Sequence, residues 1–150
     1  MSALKETLRA DLTTAMKSRD ELRTATLRMV LSAVSAEEVS GKEARQLTDD
    51  EVQGVLRREA KKRREAAEAF AGAGRAEQAE RERAEEGVVA AYLPAQLTDA
   101  DLTALVADVV TTTGATGMKD MGKVMGAVTG RVAGRAEGGR VAAEVRRQLG

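Results

Sequence analysis

A basic helix face lined with glycine is the most distinctive chemical feature of this sequence. Gly122, Gly126 and Gly130 recur at intervals of four residues, so they share one side of a helix. Lys119 and Lys123 lie on that same side, away from the apolar stripe. Glycine inside a helix costs about 1 kcal/mol relative to alanine, so three on one face indicate that another group approaches closely. A neighbouring helix and a sugar-phosphate chain both fit this spacing, which favours neither.

The charge balance makes this segment the one that could attract phosphate. The chain of 150 residues has 24 basic and 24 acidic side chains, so whole-molecule attraction to nucleic acid is not expected. Residues 117–150, however, carry seven basic against three acidic side chains, a net charge of +4. The seven are Lys119, Lys123, Arg131, Arg135, Arg140, Arg146 and Arg147.

A second basic run covers residues 57–65, but helical geometry divides it between two faces. Acidic residues four positions after the cations neutralise part of it, and no aromatic residues interleave for base stacking. A solvated helix face is favoured over an anion or RNA contact. Arg63 falls on the apolar face, one turn after Glu59, which predicts a semi-buried ion pair.

The residue types that are missing argue against catalysis. The chain has no Cys, which excludes thiolate nucleophiles, disulfides and thiolate metal sites. It has no His, the commonest general base and metal ligand at neutral pH. No pair of carboxylates stands out as an acid/base couple. We expect no catalytic residue, no metal site and no cofactor.

Composition and periodicity predict an all-α, multihelical protein. Apolar residues recur at helical spacing throughout, and unbranched side chains dominate. The second helix is apolar nearly all round, so we expect it to be buried on most sides as the hub of its bundle. The predicted helices cover about residues 3–18, 20–39, 48–71 and 76–92, with three more after residue 98 centred on apolar stripes at 102–110, 121–132 and 141–149.

Pro94, the only proline, predicts the domain boundary because a helix stops at or before the residue preceding it. We expect a four-helix bundle at residues 1–93, a linker around 93–97 and a three-helix domain at 94–150. No apolar run approaches the roughly 20 residues that span a bilayer, and Met1–Lys5 is typical of a helix rather than a signal peptide. We therefore expect a soluble, cytoplasmic protein with no membrane contact.

Five segments together resemble the YqeY family, also called GatB/YqeY domain proteins. The resemblance covers nearly the whole chain, in order, and implies a four-helix bundle followed by a three-helix one. The segments are Leu27–Ala33, Arg58–Arg63, Tyr92–Leu97, Lys119–Met125 and Gly134–Ala136.

The C-terminal part is similar to the tail domain of the B subunit of the tRNA-dependent amidotransferase. In that enzyme the tail contacts tRNA, while other domains and subunits perform the chemistry. The resemblance therefore implies an RNA-facing surface without implying amidotransferase activity, since the catalytic portions have no counterpart here. The residues it implies are Lys119, Gly122, Lys123, Gly126, Arg131 and Arg135.

Three hypotheses follow for the function. The first is a non-catalytic accessory module that binds tRNA or a tRNA-modifying enzyme. The second is a protein–protein adaptor whose glycine face docks a partner helix. The third is a component of carbon–nitrogen ligase activity that uses glutamine as the amide donor on misacylated tRNA.

Overall fold

A computed structural model describes residues 2–150. This part of the chain consists of helices joined by turns and loops, and it contains no strand. The predicted all-α, multihelical class is confirmed. The helices are α1 (Ala3–Lys17), α2 (Glu21–Glu38), α3 (Asp49–Gly72), α4 (Ala76–Ala90), α5 (Asp99–Thr113), α6 (Met121–Val132) and α7 (Gly138–Leu149), and a short 3₁₀ turn (Met118–Asp120) precedes α6.

Side-chain caps explain where several of the helices begin. The Asp20 side chain accepts a hydrogen bond from the backbone N–H of Arg23 at the start of α2. Thr48 and Thr98 each form a capping box, in which hydroxyl and acidic side chain satisfy two backbone N–H groups reciprocally. At the other end of α5, Gly114 adopts a left-handed conformation with φ of 70°, which costs glycine little.

The chain divides into two compact units, one ending at Pro94 and the other covering Ala95–Gly150. Each unit has its own apolar core. The core of the first unit contains Leu8, Leu27, Val30, Val34, Leu47, Val52, Val55, Leu56, Ala60, Val88 and Val89. The core of the second contains Leu97, Leu102, Val106, Val109, Val124, Val128, Val132, Ala136, Val141, Val145 and Leu149.

Helix α2 packs against α1, α3 and α4, as its apolar sequence predicts. It is not the sole hub, because α3 also contacts the other three helices. The expectation that α2 is buried on most sides is wrong for one face, where Met29 is 48% exposed. The fully buried positions of α2, such as Leu27, Val30 and Val34, form a single stripe, so packing on three neighbours leaves one side open.

A buried arginine lies between the helices of the first unit. The Arg63 side chain on α3 is 2% exposed. Its Nη1 donates to the carbonyl oxygen of Glu59 at 3.0 Å and to Glu59 Oε1 at 3.2 Å. Its Nε lies 3.5 Å from Oε2 of Glu85 on α4. The predicted pair with Glu59 is confirmed, but the arginine is more deeply buried than predicted and has a second carboxylate beside it.

The two carboxylates extend this ion pair into a network. Glu59 lies 3.3 Å from the ammonium of Lys62, and Glu85 accepts from Arg81 Nε at 3.0 Å. Arg81 also donates to both carboxylate oxygens of Glu21 on α2 at 2.9 Å. The network therefore joins α2, α3 and α4, and each buried charge in it has a counter-charge.

Two further contacts connect α1 to its neighbours. The buried ammonium of Lys5 lies 2.8 Å from Glu38 Oε1 at the end of α2. The Tyr92 hydroxyl donates to Asp11 Oδ2 at 2.5 Å, just after the end of α4. Burial, together with this bond to Asp11, raises the pKa of Tyr92 to about 12. Tyr92 therefore stays neutral and donating at all physiological pH values.

Replacing Arg63 by alanine should lower the free energy of unfolding of the first unit by about 3–5 kcal/mol, because the buried carboxylates of Glu59 and Glu85 would lose their buried cation and keep only the more exposed Lys62 and Arg81. Urea unfolding followed by the fluorescence of Tyr92, the only tyrosine, measures this. Lys61→Ala is the matched control on the same helix, since its exposed pair with Glu65 should contribute no more than about 0.5 kcal/mol. Equal losses for the two variants would contradict a structural role for the buried pair.

Candidate nucleic-acid interface

The glycine-lined face of α6 points away from the core of the second unit. Val124, Val128 and Val132 on the opposite side are buried among the apolar residues of α5 and α7. Gly122 and Gly126 are exposed, as is Gly130, which continues the same row. The helix is therefore oriented as its periodicity predicts, with the glycine row on the surface.

The glycine row is open along its length. A Cβ atom built on Gly122, Gly126 or Gly130 would meet no described atom within 4 Å, apart from the backbone of α6 itself. No other helix of the second unit therefore packs against this row. The interpretation that the glycines admit another helix of this unit is wrong, and the interpretation that they admit an outside ligand or partner stays a prediction.

Lys119 and Lys123 flank the start of this row. Lys119 is exposed. Lys123 Nζ donates to the carbonyl oxygen of Thr113 at the end of α5, at 3.1 Å. The N–H of Thr116 lowers the pKa of Asp120, and the charges of the two lysines lower it further. Asp120 therefore stays ionised and offsets part of the lysine charge.

The two arginines implied by the resemblance are held by contacts within the second unit. Arg131 Nη1 lies 2.5 Å from Oδ2 of Asp108 on α5, and its side chain remains 51% exposed. Arg135 Nε donates to the carbonyl oxygen of Ala95 at 2.9 Å. The Arg135 carbonyl in turn accepts from the N–H of Leu97 at 2.8 Å. Arg131 is paired with an acid, whereas Arg135 holds the segment before α5.

The structure thus brings together only part of the predicted set. Lys119, Gly122, Lys123 and Gly126 follow one another along the exposed side of the 3₁₀ turn and α6. We call these four residues, with Gly130, the glycine face. The sequence could not reveal that Asp108 would pair with Arg131, because that contact depends on how α5 packs against α6.

The glycine face can offer positive charge and close access to a helix backbone. An ammonium group attracts phosphate as a point charge, and the absence of side chains lets a bulky chain approach. The second unit offers no aromatic side chain for base stacking there, because the two aromatic residues of the chain, Phe70 and Tyr92, belong to the first unit. The chemistry of this face suits a sugar-phosphate backbone rather than bases.

The basic run on α3 has a different character. Most of its cations are matched with carboxylates, including Arg58 with Glu37 at 3.6 Å, Lys61 with Glu65 at 3.9 Å and Arg64 with Glu86 at 3.1 Å. Surface pairs of this kind contribute little to stability, but they cancel the positive field. The predicted solvated face is thus favoured over an RNA contact.

The described part of the chain, residues 2–150, has neither a membrane-crossing helix nor an acidic metal site. No helix within it is long and apolar enough to cross a membrane. Residues 2–150 also contain no group of three or more acidic side chains arranged to hold a metal ion.

Replacing Gly122, Gly126 and Gly130 together by alanine should stabilise the second unit by about 2–3 kcal/mol, because each glycine costs about 1 kcal/mol relative to alanine in a helix and the added methyl groups meet open space. Chemical unfolding followed by circular dichroism measures this. Gly114→Ala is the control: its surroundings are equally open, but its φ of +70° should make alanine destabilising by about 1 kcal/mol. A loss of stability in the triple variant would mean that the row is packed against something.

The sequence as a whole was compared with known proteins. It matches the profile of the family described as YqeY, Yqey-like protein, over residues 5–149. No curated protein matches it. The match covers nearly the entire chain, including both units, and the chain therefore belongs to the YqeY family.

Proposed function

We propose that the protein binds RNA through its glycine face, as a non-catalytic accessory module for tRNA or for an enzyme that handles tRNA. The observation that carries this proposal is the open row of Gly122, Gly126 and Gly130, with no described atom within 4 Å of any added Cβ. Lys119 and Lys123 lie along the same row. An uncovered glycine row that destabilises its own helix is best explained by a ligand that needs the space.

The electrostatics favour a modest phosphate contact. The ammonium of Lys123 is held by a backbone carbonyl, which leaves its full positive charge in place. Lys119 is exposed beside it, while Asp120 opposes both. Two lysines and one carboxylate should bind RNA weakly and with strong dependence on salt, because affinity then comes from counterion release.

The choice of tRNA rests on the resemblance of the second unit to the tail of the amidotransferase B subunit. A folded RNA presents A-form helices whose wide, shallow minor groove displays 2′-hydroxyl and phosphate groups. A smooth helix face without aromatic residues suits recognition of that shape. We therefore expect little dependence on base sequence.

Replacing Lys119 and Lys123 by alanine should weaken binding to bulk tRNA, because each lysine lost removes one phosphate contact. The slope of log affinity against log salt should become less negative by about 2. Titrations monitored by fluorescence anisotropy at several salt concentrations measure both quantities.

The control for this prediction is the variant Lys17→Ala/Lys42→Ala. It removes the same charge from two exposed positions of the first unit. If both variants bind tRNA as the wild type does, or lose affinity equally, the glycine face is not the interface.

The variant with alanine at Gly122, Gly126 and Gly130 should bind tRNA several-fold more weakly, although its charge is unchanged and its fold more stable. Three added methyl groups would keep the ribose-phosphate chain from the helix backbone. The same anisotropy titration provides the comparison. Unchanged affinity would show that the lysines act without the glycine row.

The adaptor and ligase hypotheses predict other results. An adaptor should retain a defined protein partner on the glycine face after nuclease treatment, whereas an RNA-binding module should lose its partners. A ligase component acting alone should amidate misacylated tRNA with glutamine as donor. We expect neither result.

A further inference from the structure

The sulfur of Met29 lies directly against the buried guanidinium of Arg63. Nη2 of Arg63 is 3.8 Å from the Met29 Sδ, across the contact between α3 and α2. Arg63 is 2% exposed, whereas Met29 is 48% exposed. Met29 therefore reaches from solvent to a charge in the interior of the first unit.

The guanidinium of Arg63 has fewer strong hydrogen-bond acceptors around it than it has N–H groups. It carries five N–H groups. Nη1 donates to the Glu59 carbonyl and carboxylate. The buried Nε forms no hydrogen bond, although it forms an ion pair with Glu85 Oε2 at 3.5 Å. For Nη2, the thioether of Met29 is the acceptor that the described residues provide, and thioether sulfur is a weak acceptor.

We propose that Met29 is a site of reversible oxidation, and that its sulfoxide completes the hydrogen bonding of Arg63. The sulfoxide oxygen is bonded to Sδ and is a strong hydrogen-bond acceptor. Tilted away from the line between Sδ and Nη2, it would lie at hydrogen-bond distance from Nη2. It would receive the N–H of Nη2 that a thioether binds poorly. Oxidation at this position therefore tightens the contact between α2 and α3.

The chemistry needs a peroxide as the oxidant. A lone pair of Met29 Sδ attacks one oxygen of hydrogen peroxide, the O–O bond breaks and an S–O bond forms. A proton passes to the leaving oxygen, so that one water molecule is released. The sulfur loses two electrons and the peroxide gains them. The chain has no cysteine to compete for the oxidant, and methionine sulfoxide is returned to methionine by sulfoxide reductases.

Other exposed methionines provide the comparison. Met118 is also 48% exposed, but no guanidinium contact is seen at its sulfur. Met16 is 49% exposed and its Sδ lies 3.8 Å from Nη2 of Arg28, yet Arg28 itself is exposed and can bond to water. Among these three exposed methionines, only Met29 has its sulfur against a buried guanidinium. Oxidation of the other two should therefore leave the stability of the first unit almost unchanged.

The test compares wild type with Met29→Leu before and after treatment of the full chain with hydrogen peroxide. Peptide mass spectrometry should show one added oxygen on Met29 at a rate similar to that of Met118. The midpoint of thermal unfolding is followed by Tyr92 fluorescence before and after treatment. The change caused by peroxide should be about 2–4 °C more positive in the wild type than in Met29→Leu. The variant retains the other methionines, so the difference isolates Met29.

Two results would overturn the proposal. In the first, Met29 stays unmodified while Met118 is fully oxidised. In the second, peroxide lowers the stability of the wild type as much as that of Met29→Leu, or more.

A second variant tests the acceptor without oxidation: Met29→Gln places a carbonyl oxygen near the position of the sulfoxide oxygen. It should unfold at a higher temperature than Met29→Leu, whereas Met118→Gln and Met118→Leu should not differ. A Met29→Gln variant less stable than Met29→Leu would contradict the proposal.

Discussion

The buried guanidinium of Arg63 is the constraint on which the first unit depends. Removing a charge of this size from water costs several kcal/mol, and only well-placed counter-charges offset that cost. Glu59 supplies one from the same helix and Glu85 supplies the other from α4. Arginine and carboxylates can meet in this way at one relative position of α3 and α4. We regard the network as a device that fixes this position, since an apolar core alone would tolerate a shift of one helix along the other.

The two units use their cations in different ways. In the first unit the cations of the Arg63 network, and most of those on the α3 surface, face carboxylates, so the charges cancel close to where they arise. In the second unit Arg131, Arg140 and Arg147 also face carboxylates, but Lys123 and Arg135 bind backbone carbonyl groups instead. A carbonyl oxygen orients a cation without neutralising it. The second unit therefore keeps positive charge that a phosphate could use, although the protein as a whole is neutral.

Local signals in the sequence predicted the helices because those signals act over a few residues. The capping residues Asp20, Thr48 and Thr98 and the single Pro94 mark helix starts and an end without knowledge of the fold. The glycine row was also predictable, since the orientation of α6 follows from its own apolar stripe. Contacts between helices were not. The partners Glu85 for Arg63 and Asp108 for Arg131 depend on packing that periodicity does not specify, and the same is true of the open face of α2 at Met29.

The hydrogen bonds of Ala95 and Leu97 hold the start of the second unit in place. Both residues bond to Arg135, within the second unit, immediately after Pro94. The capping box at Thr98 likewise starts α5 from its own sequence. A segment whose first polar groups bond within its own unit does not need the chain before Pro94 to supply those bonds. The start of the second unit is therefore held by its own backbone and by the Arg135 side chain.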